Sequence, residues 1–145
     1  MSKRISIKEL EPAAYEAMMA LERYGQSLPI DIKLKELIKM RASQLNGCAY
    51  CLDMHTEDAL AAGESPRRIF ALPAWKESHL FTEEERVVLQ LTEEVTLIAA
   101  HGLTEETYQR AIGSFGEQAT AQLIMLVVLI NAWNRIAVST RLIYK

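Results

Sequence analysis

Hydrophobic residues recur along most of the chain at steps of three and four positions, and Gly or Pro residues interrupt this rhythm at intervals. Steps of three and four are the period of an amphipathic helix, whereas a strand alternates every second residue. No linker, low-complexity tract or repeat divides the sequence. The pattern therefore predicts an all-α protein, a single-domain helical bundle of about seven helices over residues 1–145.

Start and stop signals predict where these helices lie. A first helix is expected from Pro12 to Gly25, and Asp31 is expected to cap a second one that ends at Asn46 and Gly47. Five more are expected over residues 48–62, 65–72, 82–102 and 104–116, and from 117 to near the C-terminus.

The last predicted helix is apolar on almost all sides between Ala119 and Ile136. A surface helix carries a single apolar stripe, so this helix is either central in the fold or buried against another subunit. For a domain this small we expect a subunit interface to contribute, which predicts a homo-oligomer. The longest apolar run, Leu123 to Ile130, is much shorter than the ~20 residues of a membrane span. The sequence therefore predicts no membrane insertion.

Composition and charge narrow the class of protein. Of the 145 residues, 50% are hydrophobic and 24% are charged, which is typical of a folded domain. The net charge of −3 argues against a nucleic-acid partner, because phosphate binding needs clustered Lys and Arg. The first residues, MSKRISIKEL, lack the apolar stretch of a secretion signal. We therefore expect a cytoplasmic protein, in which a close pair of cysteines is more often catalytic or metal-binding than a permanent disulfide.

The segment Asn46–His55, NGCAYCLDMH, contains both cysteines of the chain. If it is helical, Cys48, Cys51 and His55 share one face, since residues three and four apart are neighbours on a helix. Helix geometry then puts the Cα atoms of the two cysteines roughly 5 Å apart. Disulfides span ~4.4–6.8 Å between Cα atoms, so this pair can close and reopen with little backbone movement.

Neighbouring groups offer both thiols a route to the thiolate. Cys48 is expected in the first helical turn, where the helix dipole favours an anion, and Cys51 lies one turn from His55, which can take its proton. Spacing alone does not decide which sulfur attacks. If the second and third helices form a hairpin at Gly47, Glu36 lies opposite residues 55 to 57, where its carboxylate can orient the His55 ring.

Three simpler interpretations compete with this one. The cysteines could be inert core residues, as free Cys often is. Zinc could bind Cys48, Cys51 and His55, but zinc sites usually have a fourth ligand, and His79 and His101 lie next to no ligand pair. Glu36 could be an ordinary solvated charge on a helix surface.

The series Glu36, Cys48, Cys51 and His55 resembles the E-x11-C-x2-C-x3-H signature of alkylhydroperoxidase D-like (AhpD-like) proteins. These proteins belong to the carboxymuconolactone decarboxylase superfamily, whose decarboxylase branch generally lacks the cysteine pair. The likeness is strong over residues 30–63 and looser elsewhere. It implies an all-helical fold assembled as trimers or hexamers, and reduction of hydroperoxides by the two cysteines.

The resemblance also implies a role for each residue. Cys51 would attack the peroxide after activation by His55, Glu36 would belong to the proton relay, and Cys48 would resolve the sulfenic acid to a disulfide. One departure is Tyr50, which stands where some of these peroxidases have a histidine.

The expected function is therefore a thiol-dependent peroxidase or disulfide reductase with an antioxidant role. It would need no organic cofactor or metal, but it would need an external dithiol reductant or a redox partner protein. The alternative is a non-enzymatic redox-sensing or binding oligomer whose cysteine pair is a switch. Turnover separates them, because a catalyst consumes peroxide repeatedly and a sensor is oxidised once.

Overall fold

The computed structural model describes residues 4–144, and these residues form eight α-helices with a 3-10 turn, Leu72–Ala74, after the fifth. The helices are α1 (Ile7–Leu10), α2 (Pro12–Ser27), α3 (Ile32–Asn46), α4 (Ala49–Ala61), α5 (Pro66–Ala71), α6 (Glu83–Thr96), α7 (Ile98–His101) and α8 (Glu105–Thr140). The all-α prediction is confirmed, with one helix more than expected.

The centre of the fold is α8, which packs against both α3 and α6. Its buried residues Leu126, Val127 and Ile130 belong to the same core as Ile38 on α3 and Val88 on α6. By length and composition α8 could cross a membrane, but half of its most apolar stretch is buried inside the protein. This position accounts for part of the apolar surface that the sequence pattern assigned to a subunit interface.

The expected end of the first helix at Gly25 was wrong, because α2 continues to Ser27. Gly25 is buried, and a Cβ atom added to it would lie 2.7 Å from Cδ2 of Leu129 on α8. The missing side chain therefore permits close approach of two helices and does not end one.

The single helix predicted over residues 82–102 is interrupted at Leu97, whose φ of −95° and ψ of 37° separate α6 from α7. The last buried residue before the break is Thr96, and α7 has none. Beyond Thr96 no core contact holds the chain on the axis of α6. The expected boundary at Gly116 is confirmed, because its φ of 79° and ψ of 171° produce a kink inside α8.

Candidate active site

The turn between α3 and α4 positions the cysteine segment. Asp31 Oδ1 accepts hydrogen bonds from the N–H groups of Lys33 and Leu34 at the start of α3. At its end Gly47 adopts the left-handed conformation, with φ of 63°, which glycine tolerates without strain. Cys48 then caps α4, and its Sγ accepts a hydrogen bond from the Cys51 N–H at 3.3 Å. The expectation that Cys48 lies in the first turn was wrong by one position, because its φ and ψ are extended.

The two cysteines form a disulfide with their Cα atoms 5.4 Å apart, as the helical spacing predicted. Both are buried, with 1% of Cys48 and 2% of Cys51 exposed. The bond argues against the inert-core interpretation. In this oxidised state it also leaves neither sulfur as the thiolate that zinc requires.

The hairpin brings Glu36 and His55 together, 19 residues apart in sequence. Nδ1 of His55 lies 2.9 Å from Oε2 of Glu36, and the two residues are 6% and 2% exposed. The interpretation of Glu36 as a solvated charge is therefore wrong. An ionised carboxylate only accepts hydrogen bonds, so Nδ1 is the donor in this contact, and in the neutral ring Nε2 is left as the acceptor.

Glu36 has a second partner that the sequence analysis missed. Nζ of Lys39, one turn along α3, donates to Oε1 of Glu36 at 3.0 Å. Burial by itself would raise the pKa of Glu36, but the hydrogen bond from His55 and the charge of Lys39 outweigh it and hold that pKa below its usual value. The three-residue spacing of Glu36 and Lys39 was the available signal.

Asp58 completes the polar cluster at its exposed side, with Oδ2 3.7 Å from Nδ1 of His55. Ligand atoms of Glu36, His55 and Asp58 lie within 4.8 Å of one another, close enough in principle to hold a metal ion. Both oxygens of Glu36 are already engaged, however, and the Lys39 ammonium next to them repels a second cation. The donor set therefore suits a proton relay better than a metal.

A cavity of about 700 Å³ opens beside this cluster. Cys51, His55, Glu36 and Lys39 line it, together with Tyr50. Most of its other wall comes from α1, α2, the start of α3 and the end of α8, with flanking residues: Ser6, Ile7, Lys8, Tyr15, Met19, Glu22, Gln26, Ile32, Trp133, Ile136, Ala137, Thr140 and Leu142. Of the two cysteines, Cys51 is the one that lines the cavity.

The two tryptophans of the chain, Trp75 and Trp133, differ in their surroundings. Trp75 is buried, with 4% exposed. Trp133 lines the cavity instead, where its Nε1 donates to Oε2 of Glu22 at 2.9 Å and its ring packs edge-on against Tyr15. This wall depends on how α2 crosses α8, which local sequence patterns do not encode.

An amide cluster ties the cysteine turn to α8. Nδ2 of Asn46 donates to Oδ1 of Asn131 at 3.0 Å and to Oδ1 of Asn134 at 2.9 Å, and Asn134 donates in turn to Oγ of Ser43. These bonds satisfy polar groups embedded in the apolar last helix. The segment of α8 over residues 130–135 therefore packs against the end of α3, next to the cysteine turn.

Known proteins resemble this chain in sequence and fold. The uncharacterized protein YdfG of Bacillus subtilis (strain 168) is 40% identical over 139 residues, which cover 96% of this chain and 95% of YdfG. A crystal structure from Agrobacterium tumefaciens, of a protein of unknown function described as a candidate antioxidant defence protein AhpD, matches with a TM-score of 0.96 and 36% identity over 99% of each chain. The debrominase Bmp8, crystallised with 2,3,4-tribromopyrrole, matches with a TM-score of 0.83 over 93% of this chain and 72% of its own, but at 20% identity that likeness concerns the fold alone.

The family comparison agrees with the signature found in the sequence. The model of the carboxymuconolactone decarboxylase family matches residues 12–94, a range that contains Glu36, both cysteines and His55. The protein therefore belongs to the carboxymuconolactone decarboxylase family and has the AhpD-like fold.

Proposed function

We propose that this protein is a thiol-dependent hydroperoxidase of the AhpD-like type. One observation carries the proposal: Cys51, bonded to Cys48, stands with the His55–Glu36 pair on the wall of a single cavity. A buried sulfur with a base one helical turn away and a carboxylate behind that base is the arrangement of an activated nucleophile.

The chemistry begins with the reduced pair. Nε2 of His55 takes the proton of the Cys51 thiol, and the thiolate attacks the terminal, hydrogen-bearing oxygen of a hydroperoxide ROOH. The O–O bond breaks, Cys51 becomes a sulfenic acid, and the alkoxide leaves as ROH with the proton held by His55. The Cys48 thiol then displaces water from the sulfenic acid, which forms the disulfide. An external dithiol reduces that disulfide and becomes a disulfide itself, so each cycle consumes one peroxide and one dithiol.

The cavity supports an organic substrate. Tyr15, Met19, Trp133 and Ile136 give it apolar walls, and its volume lies in the usual range for small-molecule sites. Such walls favour a peroxide with an apolar group, since burying apolar surface contributes roughly 25 cal/mol per Å². The AhpD description of the Agrobacterium protein agrees with an antioxidant role.

We also propose that the protein is a cytoplasmic homo-oligomer, a trimer or a hexamer, whose reductant is a dithiol or a redox partner protein. Val128 and Val138 on α8 are 41% and 46% exposed, and Leu97 and Ile98 are 48% and 56% exposed. Light scattering at micromolar concentration should give a multiple of the chain mass of 16.4 kDa. A monomer would contradict this part of the proposal.

The central experiment is steady-state consumption of cumene hydroperoxide with several small dithiols as reductant. We expect many turnovers per chain with at least one dithiol. A single oxidation without turnover would favour the redox-sensing alternative. Dithiol-dependent reduction of a disulfide substrate, with no peroxide consumption, would favour a disulfide reductase.

A further inference from the structure

One charged residue of the cavity wall bonds directly to the proposed relay but has no role in it so far. Lys39 is 13% exposed in its side chain, lines the cavity, and donates from Nζ to Oε1 of Glu36. The other carboxylate oxygen, Oε2, receives the hydrogen bond from Nδ1 of His55. A lysine of α3 and the histidine of α4 therefore share the two oxygens of one buried carboxylate.

We propose that Lys39 is a positioning residue of the relay, which fixes the rotamer of Glu36 and holds its carboxylate ionised so that Oε2 stays directed at His55. This inference rests on the proposed function, because it gives Lys39 a part in activating Cys51. The site signature of Glu36, the cysteines and His55 does not include this residue.

Burying a charged side chain away from water costs free energy. A carboxylate that is 2% exposed must be paired or take up a proton. The charged and titratable groups around it are Lys35 and Lys39 on α3 and His55 and Asp58 on α4, with Lys8 of α1 and Glu22 of α2 on the same cavity.

Among these groups, Lys39 and His55 are the two that bond to the Glu36 carboxylate. Lys35 is directed elsewhere, because its Nζ donates to the carbonyl oxygens of Gln26 and Leu28. Without Lys39, burial of Glu36 is opposed mainly by His55, so the carboxylate takes a proton at higher pH. A protonated Glu36 no longer holds the proton on Nδ1, and the site also loses a positive charge that favours the Cys51 thiolate. Both effects raise the pH at which the Cys51 thiolate forms.

The test measures the pH dependence of iodoacetamide modification of reduced Cys51, followed by peptide mapping. In Lys39→Met the rise of the profile should move to higher pH by about one unit, which is roughly a tenfold slower reaction on the rising limb. Lys39→Gln keeps a polar group without the charge and should move the profile in the same direction. Lys39→Arg restores the cation and should stay near the wild type.

The matched control is Lys33→Met, the same change on the same helix, since the Lys33 side chain extends towards Gly63 and not towards Glu36. Its profile should superimpose on that of the wild type. An unmoved or oppositely moved profile in Lys39→Met overturns the inference, and so does a Lys39→Arg profile as displaced as that of Lys39→Met. Circular dichroism checks the fold, and if Lys39→Met does not fold, Lys39→Gln decides alone.

A parallel Glu36→Gln variant separates this inference from the proposed function. If Glu36→Gln displaces the profile and Lys39→Met does not, only the role of Lys39 is wrong. If neither variant displaces it, the relay itself is wrong. Displacement in both, with recovery in Lys39→Arg, supports the two together.

Discussion

Two glutamates, the buried Glu36 on α3 and the half-buried Glu93 on α6, have similar electrostatics and different surroundings. For each, burial acts to raise the pKa, and hydrogen bonds and neighbouring cations outweigh it and leave the pKa below its usual value. Glu93 accepts hydrogen bonds from Nε1 of Trp75 at 2.6 Å and Nε of Arg41 at 3.0 Å, and pairs with Nζ of Lys76 at 3.0 Å.

The partners and the access distinguish the two sites. The indole and guanidinium partners of Glu93 do not exchange a proton near neutral pH, and its three partners lie outside the cavity lining. Glu36 faces the cavity and contacts a histidine, whose ring can pass a proton. A lowered carboxylate pKa is therefore common to structural and reactive sites, and the identity of the partner and access to substrate separate them.

The largest effect expected from this comparison is at the cavity sulfur. Cys51→Ser should lower peroxide turnover by at least about 10³-fold, because the nucleophile is lost and little of the relay can act without it. Cys48→Ser should still react once with peroxide and then accumulate a Cys51 sulfenic acid that a dimedone probe traps. If Cys51→Ser instead accumulates a sulfenic acid at Cys48, and reacts with peroxide as fast as the wild type does, the assigned roles of the two cysteines are reversed.

A smaller effect is expected at the carboxylate behind the base. Glu36→Gln should lower kcat/KM for peroxide roughly 10²-fold, within the usual range for loss of acid–base function. Glu93→Gln is the matched control, and per folded molecule its activity should stay within about twofold of the wild type, because Glu93 touches no group of the relay. Equal losses in the two variants would remove the distinction between the two carboxylates.

The expected effect of Glu93→Gln is on stability and not on activity. Glu93→Gln weakens hydrogen bonds that join α3, α6 and the segment after α5, and we expect it to lower the free energy of unfolding by about 1.5 kcal/mol. Denaturant unfolding of wild type and variant measures this difference. An unchanged unfolding midpoint would mean that this ion-pair cluster contributes nothing measurable.

The smallest expected effect is the pH dependence of that stability difference. Because the pKa of Glu93 is lowered in the folded state from its ordinary value of 4.5, its stabilisation is complete above that value and disappears as pH falls through the folded pKa. The Tm difference between wild type and Glu93→Gln should therefore be constant near neutral pH and shrink in acid. Calorimetry from about pH 3 to 7 tests this sign, and a difference that grows in acid would contradict it.

Much of the site could be predicted because it is local. Glu36 lies on α3, Cys51 and His55 lie on α4, Cys48 caps α4, and the register of this hairpin follows from Gly47. The Cα distance of the cysteine pair also follows from local helix geometry. The contact of Lys39 with Glu36 could not be predicted in the same way, because a lysine three residues from a glutamate is usually a surface pair.

The remainder depends on contacts between distant segments. Gly25 resembles a helix end in sequence, and only the position of Leu129 on α8 explains why it lies inside α2. Trp133 faces the cavity because α2 supplies Glu22 and Tyr15 as its partners. The break at Leu97 follows from where α6 leaves the core, and no Gly or Pro marks it.

The reactive groups and much of the cavity lining lie on different helices, and this separation has a consequence for evolution and engineering. The groups proposed to carry the redox step lie on α3, on α4 and at the cap of α4, whereas α1, α2 and α8 supply half of the residues that line the cavity. Substitutions at wall positions such as Met19 or Ile136 can therefore reshape the cavity without touching the disulfide or the Glu36–His55 pair. In proteins with this arrangement, substitutions on three helices can change which substrate fits, while the hairpin retains the residues proposed to react.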